Sequence, residues 1–336
     1  MSNSFKVEKN LKDNERQQSL EVCLEGQTMG SPYQVKYISH KKNDHLLPHI
    51  IKSNIEKIFI EINRQMSIYK IDSEISKFNI HSSSEPILIS TAFAVVLHQA
   101  MKINHLTQGG LNITLAPIIN LWGFGHKEQQ GRPTTNQLKE CSNYVGMDKI
   151  QLLLKDGHYY LRKIHPKVSI DLCAIAKGFA VDKVAQYLSS LGIENYLINI
   201  GGEIYAKGHN ASSLPWCIGI EAPDDSQRVQ KYVALQNMAL ATSANYRNFY
   251  YDENGQYLCH LIDPKTYQPI QNHILSLSVI ADNCMLADGL ATALMSLTKD
   301  EALLLAEQQK LAIYMIVNEN GKWQEYSSSL FQQFFI

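Results

Sequence analysis

No two cysteines in these 336 residues are spaced as CxxC. The six present (Cys23, Cys141, Cys173, Cys217, Cys259 and Cys284) lie far apart, which argues against a zinc site and against a dense disulfide framework. No run is apolar and long enough to span a bilayer, and the opening MSNSFKVEKNLKDNERQQ lacks the apolar stretch of a secretory signal. The chain as written is therefore expected in the cytoplasm unless a leader has been removed. Net charge is also scarce. The 31 Lys and Arg nearly balance 32 Asp and Glu, leaving a formal −1, so no general attraction to nucleic acid or anionic membrane is written in. Internal repeats and low-complexity tracts are missing, as is a GxGxxG run leading into a helix. Any bound nucleotide must be held by local chemistry.

What is present is an ordinary globular balance, 45% hydrophobic and 19% charged. Residues 1–20 lack periodicity and are expected to form a mobile tail, and no linker divides 21–336, which reads as one domain. LEVCLEGQTMGSPYQVKYIS predicts two strands around a turn at Gly26. After Pro48, the positions Ile51, Ile55, Ile58, Ile62 and Met66 recur at helical spacing. A second helix is expected from an N-cap at Ser90 through Phe93, Leu97 and Met101 towards Gly109 and Gly110. Residues 126–140, polar with Gly131 and Pro133, read as a surface excursion. A hairpin turns at Asp156-Gly157. Helices are expected over 174–190, near 286–297 and after Asp300. Strands outnumber helices and cluster in runs, which argues for an α+β fold with antiparallel sheets.

Several segments carry polar residues that could do chemistry. In CMLADGLATALMSL (284–297), Asp288 and Thr292 share one face of an otherwise apolar helix, and a carboxylate there must be capped, paired or bound to a metal. The ordinary explanation makes Asp288 an N-cap with Thr292 bonding back to its carbonyl. In SIDLCAIAKGFAVDKVAQYL (169–188) a short strand ends at Asp171, and a helix opens near Ala174 with Lys177 in its first turn, a setting that favours phosphate. A solvated lysine beside a structural Asp explains the same letters equally well. Gly201 and Gly202 would let a ligand approach the backbone, or simply form a hairpin turn. Thr242, Ser243, Asn245 and Arg247 offer donors suited to phosphate oxygens. Cys259 and His260 are adjacent on a strand and point to opposite faces, so they cannot form a dyad. His260 alone stays open as an acid–base group or as an ordinary core or surface histidine. Trp122 and Phe124 read first as core aromatics.

Taken in order, the strings TMGSPYQVKY, RQMSIYKIDSEISKFN, LNITLAPIINLWGFG, IDLCAIAKGFAVD, YLINIGGEIYAKG, ATSANYRNF, HLIDPKTYQPI and LADGLATAL resemble the ApbE family of FAD:protein FMN transferases. The resemblance extends from about residue 21 to 300. It implies an α+β, T-fold-type unit with antiparallel sheets packed against helices. It also implies magnesium-dependent cleavage of FAD, release of AMP, and attachment of FMN to a Thr or Ser of an acceptor flavoprotein through a DxxSGAT-like segment. By position, it puts FAD contacts on Met29, Tyr69, Gly110, Leu111, Asn112, Asp171, Lys177 and Ile262. The metal falls on the Ala174 carbonyl, Asp288 and Thr292, and the base on His260. Many such relatives act on the periplasmic face of the inner membrane, which is the alternative location here if a leader was removed. The chain departs from the family pattern at Asn112, Ala244 and Asn245, at Tyr267 where the family has a turn glycine, and at Glu203 where Asp is common. Two rival readings keep the same site: an FAD pyrophosphatase that uses water, and a non-catalytic FAD-binding protein.

Overall fold

The structure is a computed structural model and describes residues 20–39, 47–125, 132–224, 226 and 228–336. The expected tail, apart from Leu20, lies outside the described residues. Strands β1 (Leu20–Thr28) and β2 (Ser31–Ser39) form an antiparallel hairpin. Its turn is not at Gly26. It falls at Met29 and Gly30, both in the left-handed region at φ 49° and 73°. Gly26 instead sits within β1 opposite Tyr33, where a Cβ would come within 2.5 Å of the ring. The glycine serves packing, which turn rules cannot see.

Helix α1 (Pro48–Met66) starts with its proline in the first turn and buries Ile51, Ile55, Phe59, Ile62 and Met66. Phe59 takes the seam position expected of Ile58, which is only partly buried. Helix α2 (Glu74–Ile80) is capped by Ser73, and a short strand β3 (Ile87–Ile89) precedes α3 (Thr91–Leu106), capped by Ser90 as expected. Helices α4 (Ala116–Leu121) and α5 (Thr135–Ser142) follow. The expected surface excursion is thus partly helical. Thr134 and Gln137 form a reciprocal capping box, an N-terminal signal stronger than the polar composition around it. Residues 126–131 of that stretch lie outside the described set.

Strands β4 (Ile150–Lys155) and β5 (His158–Lys163) turn at Asp156-Gly157. Helix α6 (Ala176–Ser190) begins two residues later than expected, and the segment before Asp171 belongs to no strand. Then come β6 (Tyr196–Ile200), β7 (Glu203–Lys207), β8 (Trp216–Glu221), β9 (Val229–Leu235), β10 (Met238–Ala244), β11 (Phe249–Tyr251), β12 (Tyr257–Cys259) and β13 (Ile274–Ala281). Helices α7 (Cys284–Met295) and α8 (Lys299–Gln309) precede β14 (Ala312–Glu319) and β15 (Lys322–Ser327).

Among the described residues the main sheet carries eight strands in the order β1-β2-β6-β7-β10-β13-β14-β15, every neighbouring pair antiparallel. Helices cover one face, and the β8–β9 hairpin with the C-terminal Phe331 covers the other. Central strands are therefore buried on both sides, and β14 reads AIYMIV rather than alternating. No helix among the described residues is long and apolar enough to cross a membrane.

Helix α7 packs against α6, β10 and β13. Three of its first N–H groups are taken by side chains. Asp182 of α6 accepts from Cys284 at 2.7 Å and Met285 at 2.9 Å, and Asn283 accepts from Leu286 at 2.9 Å. Burial pushes the Asp182 carboxyl up to about 6, although the two N–H groups and Lys183 pull the other way. A raised acid pKa makes the folded state favour the proton, so the contribution is fully present below the unfolded value and is lost as pH rises through about 6. In urea melts between pH 4 and 8, Asp182→Asn should gain stability relative to the parent as pH rises through that window. A gap that stays flat or runs the other way would remove Asp182 from this role.

Candidate active site

A cleft of about 780 Å³ opens where the main sheet, α7 and the turn before α6 meet. Its walls include Tyr69, Gly110, Leu111, Asn112, Asp171, Ala174, Lys177, His260, Ile262, Asp288 and Thr292. Segments more than two hundred residues apart are thereby brought together. Met29 is not on this wall. It holds the strained turn between β1 and β2 and packs on the main core, and its neighbour Gly30 faces the cleft instead. Tyr69 stands at the rim, 71% exposed.

The floor is a charge cluster. Asp288 lies in the middle of α7, 4% exposed, and the N-cap of that helix is Asn283. Asp288 is therefore not a cap. Its Oδ2 accepts the Gly178 N–H at 2.9 Å. That N–H is one of the first in α6, which find no acceptor within the helix, so Asp288 satisfies it from the neighbouring helix. Gly178 is required here, because a Cβ would collide with the Cys284 carbonyl and with Asp288 itself. Thr292 does not bond back along its helix but shares a hydrogen bond of 2.9 Å with Ser243 Oγ on β10.

Glu203, first residue of β7, is 3% exposed and takes Lys177 Nζ on Oε1 at 2.6 Å, while its Oε2 has no partner. The lysine early in α6 thus has its anion, though one supplied by the protein. Burial, reinforced by Glu203, pushes Asp288 well above the usual carboxylate range. Burial also raises Glu203 against the opposing pull of Lys177. Burial alone would lower Lys177, but Glu203 and Asp288 outweigh it and hold the ammonium charged. Two buried carboxylates face one ammonium, an arrangement one positive charge short. Among the described residues no group of three or more His, Cys, Asp or Glu gathers as a metal cluster. The oxygens at hand are a carboxylate, a hydroxyl and a carbonyl, the hard donors that suit a cation keeping waters and substrate phosphate in its shell.

His260 follows β12 directly. Its backbone N–H and its Nδ1 both meet the Asn248 carbonyl, at 3.0 and 3.1 Å. A carbonyl only accepts, so the ring proton sits on Nδ1 and the lone pair on Nε2. Burial pushes the imidazole below its ordinary 6.5, with Lys177 adding to the effect and the Asn248 carbonyl opposing it. The ring is neutral near pH 7. Cys259 is fully buried with its thiol towards the Leu261 and Ile270 carbonyls, away from the cleft.

Of the four expected phosphate donors, Thr242 and Ser243 line the cleft. Asn245 does not: it is buried and donates Nδ2 to the Ile274 carbonyl at 2.8 Å. Arg247 lines the rim but is paired with Glu221 at the end of β8. Asn112 spends Oδ1 on the Thr114 N–H and hydroxyl, at 3.0 and 2.6 Å. The sequence singles out Glu203 only as a departure from the family pattern and Ser243 only as a phosphate donor; the pairings of Glu203 with Lys177 and of Ser243 with Thr292 become visible only in the fold.

The ApbE family model matches residues 29–316. The FAD:protein FMN transferase of Haemophilus influenzae is 43% identical over 324 residues, covering 93% of this chain and 91% of that protein. Its counterpart from Vibrio cholerae is 40% identical, covering 94% and 92%. Among solved structures, flavin transferase ApbE from Vibrio cholerae superposes with a TM-score of 0.85 at 39% identity, covering 94% of this chain and all of that one. The apo flavinyl transferase ApbE of Pseudomonas stutzeri gives 0.85 at 31% identity, with 94% and 97% covered.

The charge cluster makes a stability prediction that needs no ligand. The raised carboxyl of Asp288 favours the folded state only while protonated, and that contribution is lost as pH rises. In metal-free buffer, Asp288→Asn should therefore melt above the parent, by a gap that widens from pH 5 to pH 8. A variant less stable than the parent at pH 8 would show that Asp288 is already satisfied.

Proposed function

The chain belongs to the ApbE family, and we infer that its cleft transfers FMN from FAD onto a hydroxyl of an acceptor flavoprotein, releasing AMP. The observation that carries this reading is the floor of the cleft. Two buried carboxylates with one ammonium between them leave room for a further positive charge directly beside a pocket of dinucleotide size. The donor set of Asp288, Thr292 and the Ala174 carbonyl fits magnesium, and these three would hold it. When bound, magnesium supplies charge neutralisation for the diphosphate and for the departing AMP.

The remaining work falls to the chain itself. Asp171, Asn112 and the backbone from Gly110 border the flavin nucleotide, and Tyr69 offers a ring at the rim. Lys177 lies in the first turn of α6, where backbone N–H groups and the helix dipole favour phosphate oxygens. His260, neutral and holding its proton on Nδ1, accepts the proton of an acceptor Thr or Ser on Nε2. The hydroxyl oxygen bonds to the phosphorus of the FMN half as the bridging P–O bond breaks, and AMP leaves with that oxygen. Phosphoryl-type transfer needs positioning and charge more than covalent help from the enzyme.

Incubation with FAD, magnesium and an acceptor bearing a DxxSGAT-like segment should give an acceptor that keeps flavin fluorescence on a denaturing gel, together with AMP. Free FMN and AMP without labelled acceptor would mean hydrolysis, and FAD returned intact would mean binding alone. His260→Ala should slow transfer roughly 10²–10⁴-fold, the usual worth of a general base, with FAD affinity little changed. A large loss of affinity would contradict that role. Because the His260 pKa is depressed, the acid limb of kcat/KM should lie below pH 6.5, and a limb centred above it would place the base elsewhere.

A further inference from the structure

Val168, Ile170 and Leu172 are completely buried and alternate like a strand, yet no strand among the described residues pairs with them. Side chains hold this segment in place. The Asn79 amide takes both backbone groups of Ile170, donating to its carbonyl at 2.9 Å and accepting its N–H at 2.8 Å. Lys163, the last residue of β5, is 1% exposed and donates from Nζ to the Val168, Asn79 and Pro166 carbonyls at 2.8, 3.2 and 3.3 Å. An ammonium has three hydrogens, and all three are spent on neutral oxygens. The Phe78 ring lies 4.8 Å from Nζ.

Burying an ammonium without a carboxylate is costly, and here burial pushes its pKa down to about 8. A packed Met or Leu would fill the same volume more cheaply, so the charge is retained for what it binds. Two of its acceptors lie in the turn and buried stretch leading to Asp171. The third is near the C-terminal end of α2, where carbonyls lack helical partners. Directly beyond Ile170, the Asp171 N–H donates to the Ile113 carbonyl at 2.8 Å, tying this segment to the Asn112 turn. Asp171 and Asn112 line the cleft, whereas Lys163 does not.

The geometry points to Lys163 as a positioning residue for the flavin nucleotide: its ammonium, clasping three carbonyls, sets where Asp171 stands in the cleft. The inference rests on the functional reading above, in which Asp171 borders FAD. Lys163→Met keeps the apolar stem and removes the donors.

FAD affinity, read by flavin fluorescence, should fall at least about tenfold in Lys163→Met. KM for FAD should rise in proportion, while kcat at saturating FAD stays within about threefold. In an Asp171→Ala background the same substitution should cost less than about twofold, because a residue that acts through Asp171 has nothing left to position. Asn79→Ala, which frees Ile170 while leaving the ammonium in place, should reproduce the pattern and decides the matter if Lys163→Met does not fold. A purely structural lysine would lower the melting temperature and leave the affinity of the folded variant within about twofold of the parent. That result, or an equal loss in both Asp171 backgrounds, overturns the inference alone. A parent protein that binds no FAD overturns the functional reading and this inference with it.

Discussion

Two carboxylates that cannot both be comfortable organise this molecule. Asp288 and Glu203 are each almost wholly enclosed, burial raises the proton affinity of both and Glu203 raises that of Asp288 further, and Lys177 is the ammonium paired to Glu203. A core that served stability alone would replace such a group with packed apolar side chains. The surrounding structure instead goes to some length to bring the charges together. Gly178 lets α6 approach α7 until a backbone N–H reaches Asp288, and Asp182 caps the same helix from the neighbouring turn.

The parts of the cleft differ in how firmly they are held. The floor stands on α7, β7 and β10, regular elements packed into the two core clusters on either side of the main sheet, so its oxygens are fixed before any ligand arrives. The rim is built otherwise. Tyr69 is mostly exposed, and Arg247 meets Glu221 as a solvent-facing pair of the kind that adds little to stability. Diphosphate chemistry requires a fixed site of charge, whereas admission of a large acceptor asks only that the entrance give way. The division between floor and rim answers both demands.

How much of this could be read from residues alone depended on the range of the interaction. Local rules found the caps at Ser90 and the turn at Asp156-Gly157, because those bonds close within a few residues. Period and composition gave the helices and the antiparallel strands. Gly26 misled because its reason, the Tyr33 ring, lies on the next strand, and the segment before Asp171 misled because its alternation is real but its partners are side chains. Asp288 and Thr292 stood out as polar residues on an apolar helix, yet pattern alone favoured a cap. Glu203 remained hidden as a member of the cluster because its partner Lys177 is 26 residues away and only the crossing of α6 over the sheet brings them together.

The positions at which the resemblance implies a departure from the family pattern follow the same logic. Asn245 donates an amide N–H to the Ile274 carbonyl, a bond that an Asp could not make. Tyr267 occupies the turn position of the family glycine at φ 59°, a strained conformation for a residue with a Cβ. Its carbonyl accepts the Trp122 indole N–H at 2.8 Å, which pins the turn to a buried aromatic. Ala244 takes no positive φ and so needs no glycine. Asn112 caps its turn with an oxygen that a carboxylate would supply equally well, so the exchange leaves the cap and removes a negative charge from the cleft wall. Glu203 is one methylene longer than the usual Asp, and it reaches Lys177 while keeping a second oxygen unpaired. These changes touch bonds, turns and reach, and none cancels the negative floor. What they leave in place is the imbalance of charge beneath the cleft, on which the proposed cation site rests.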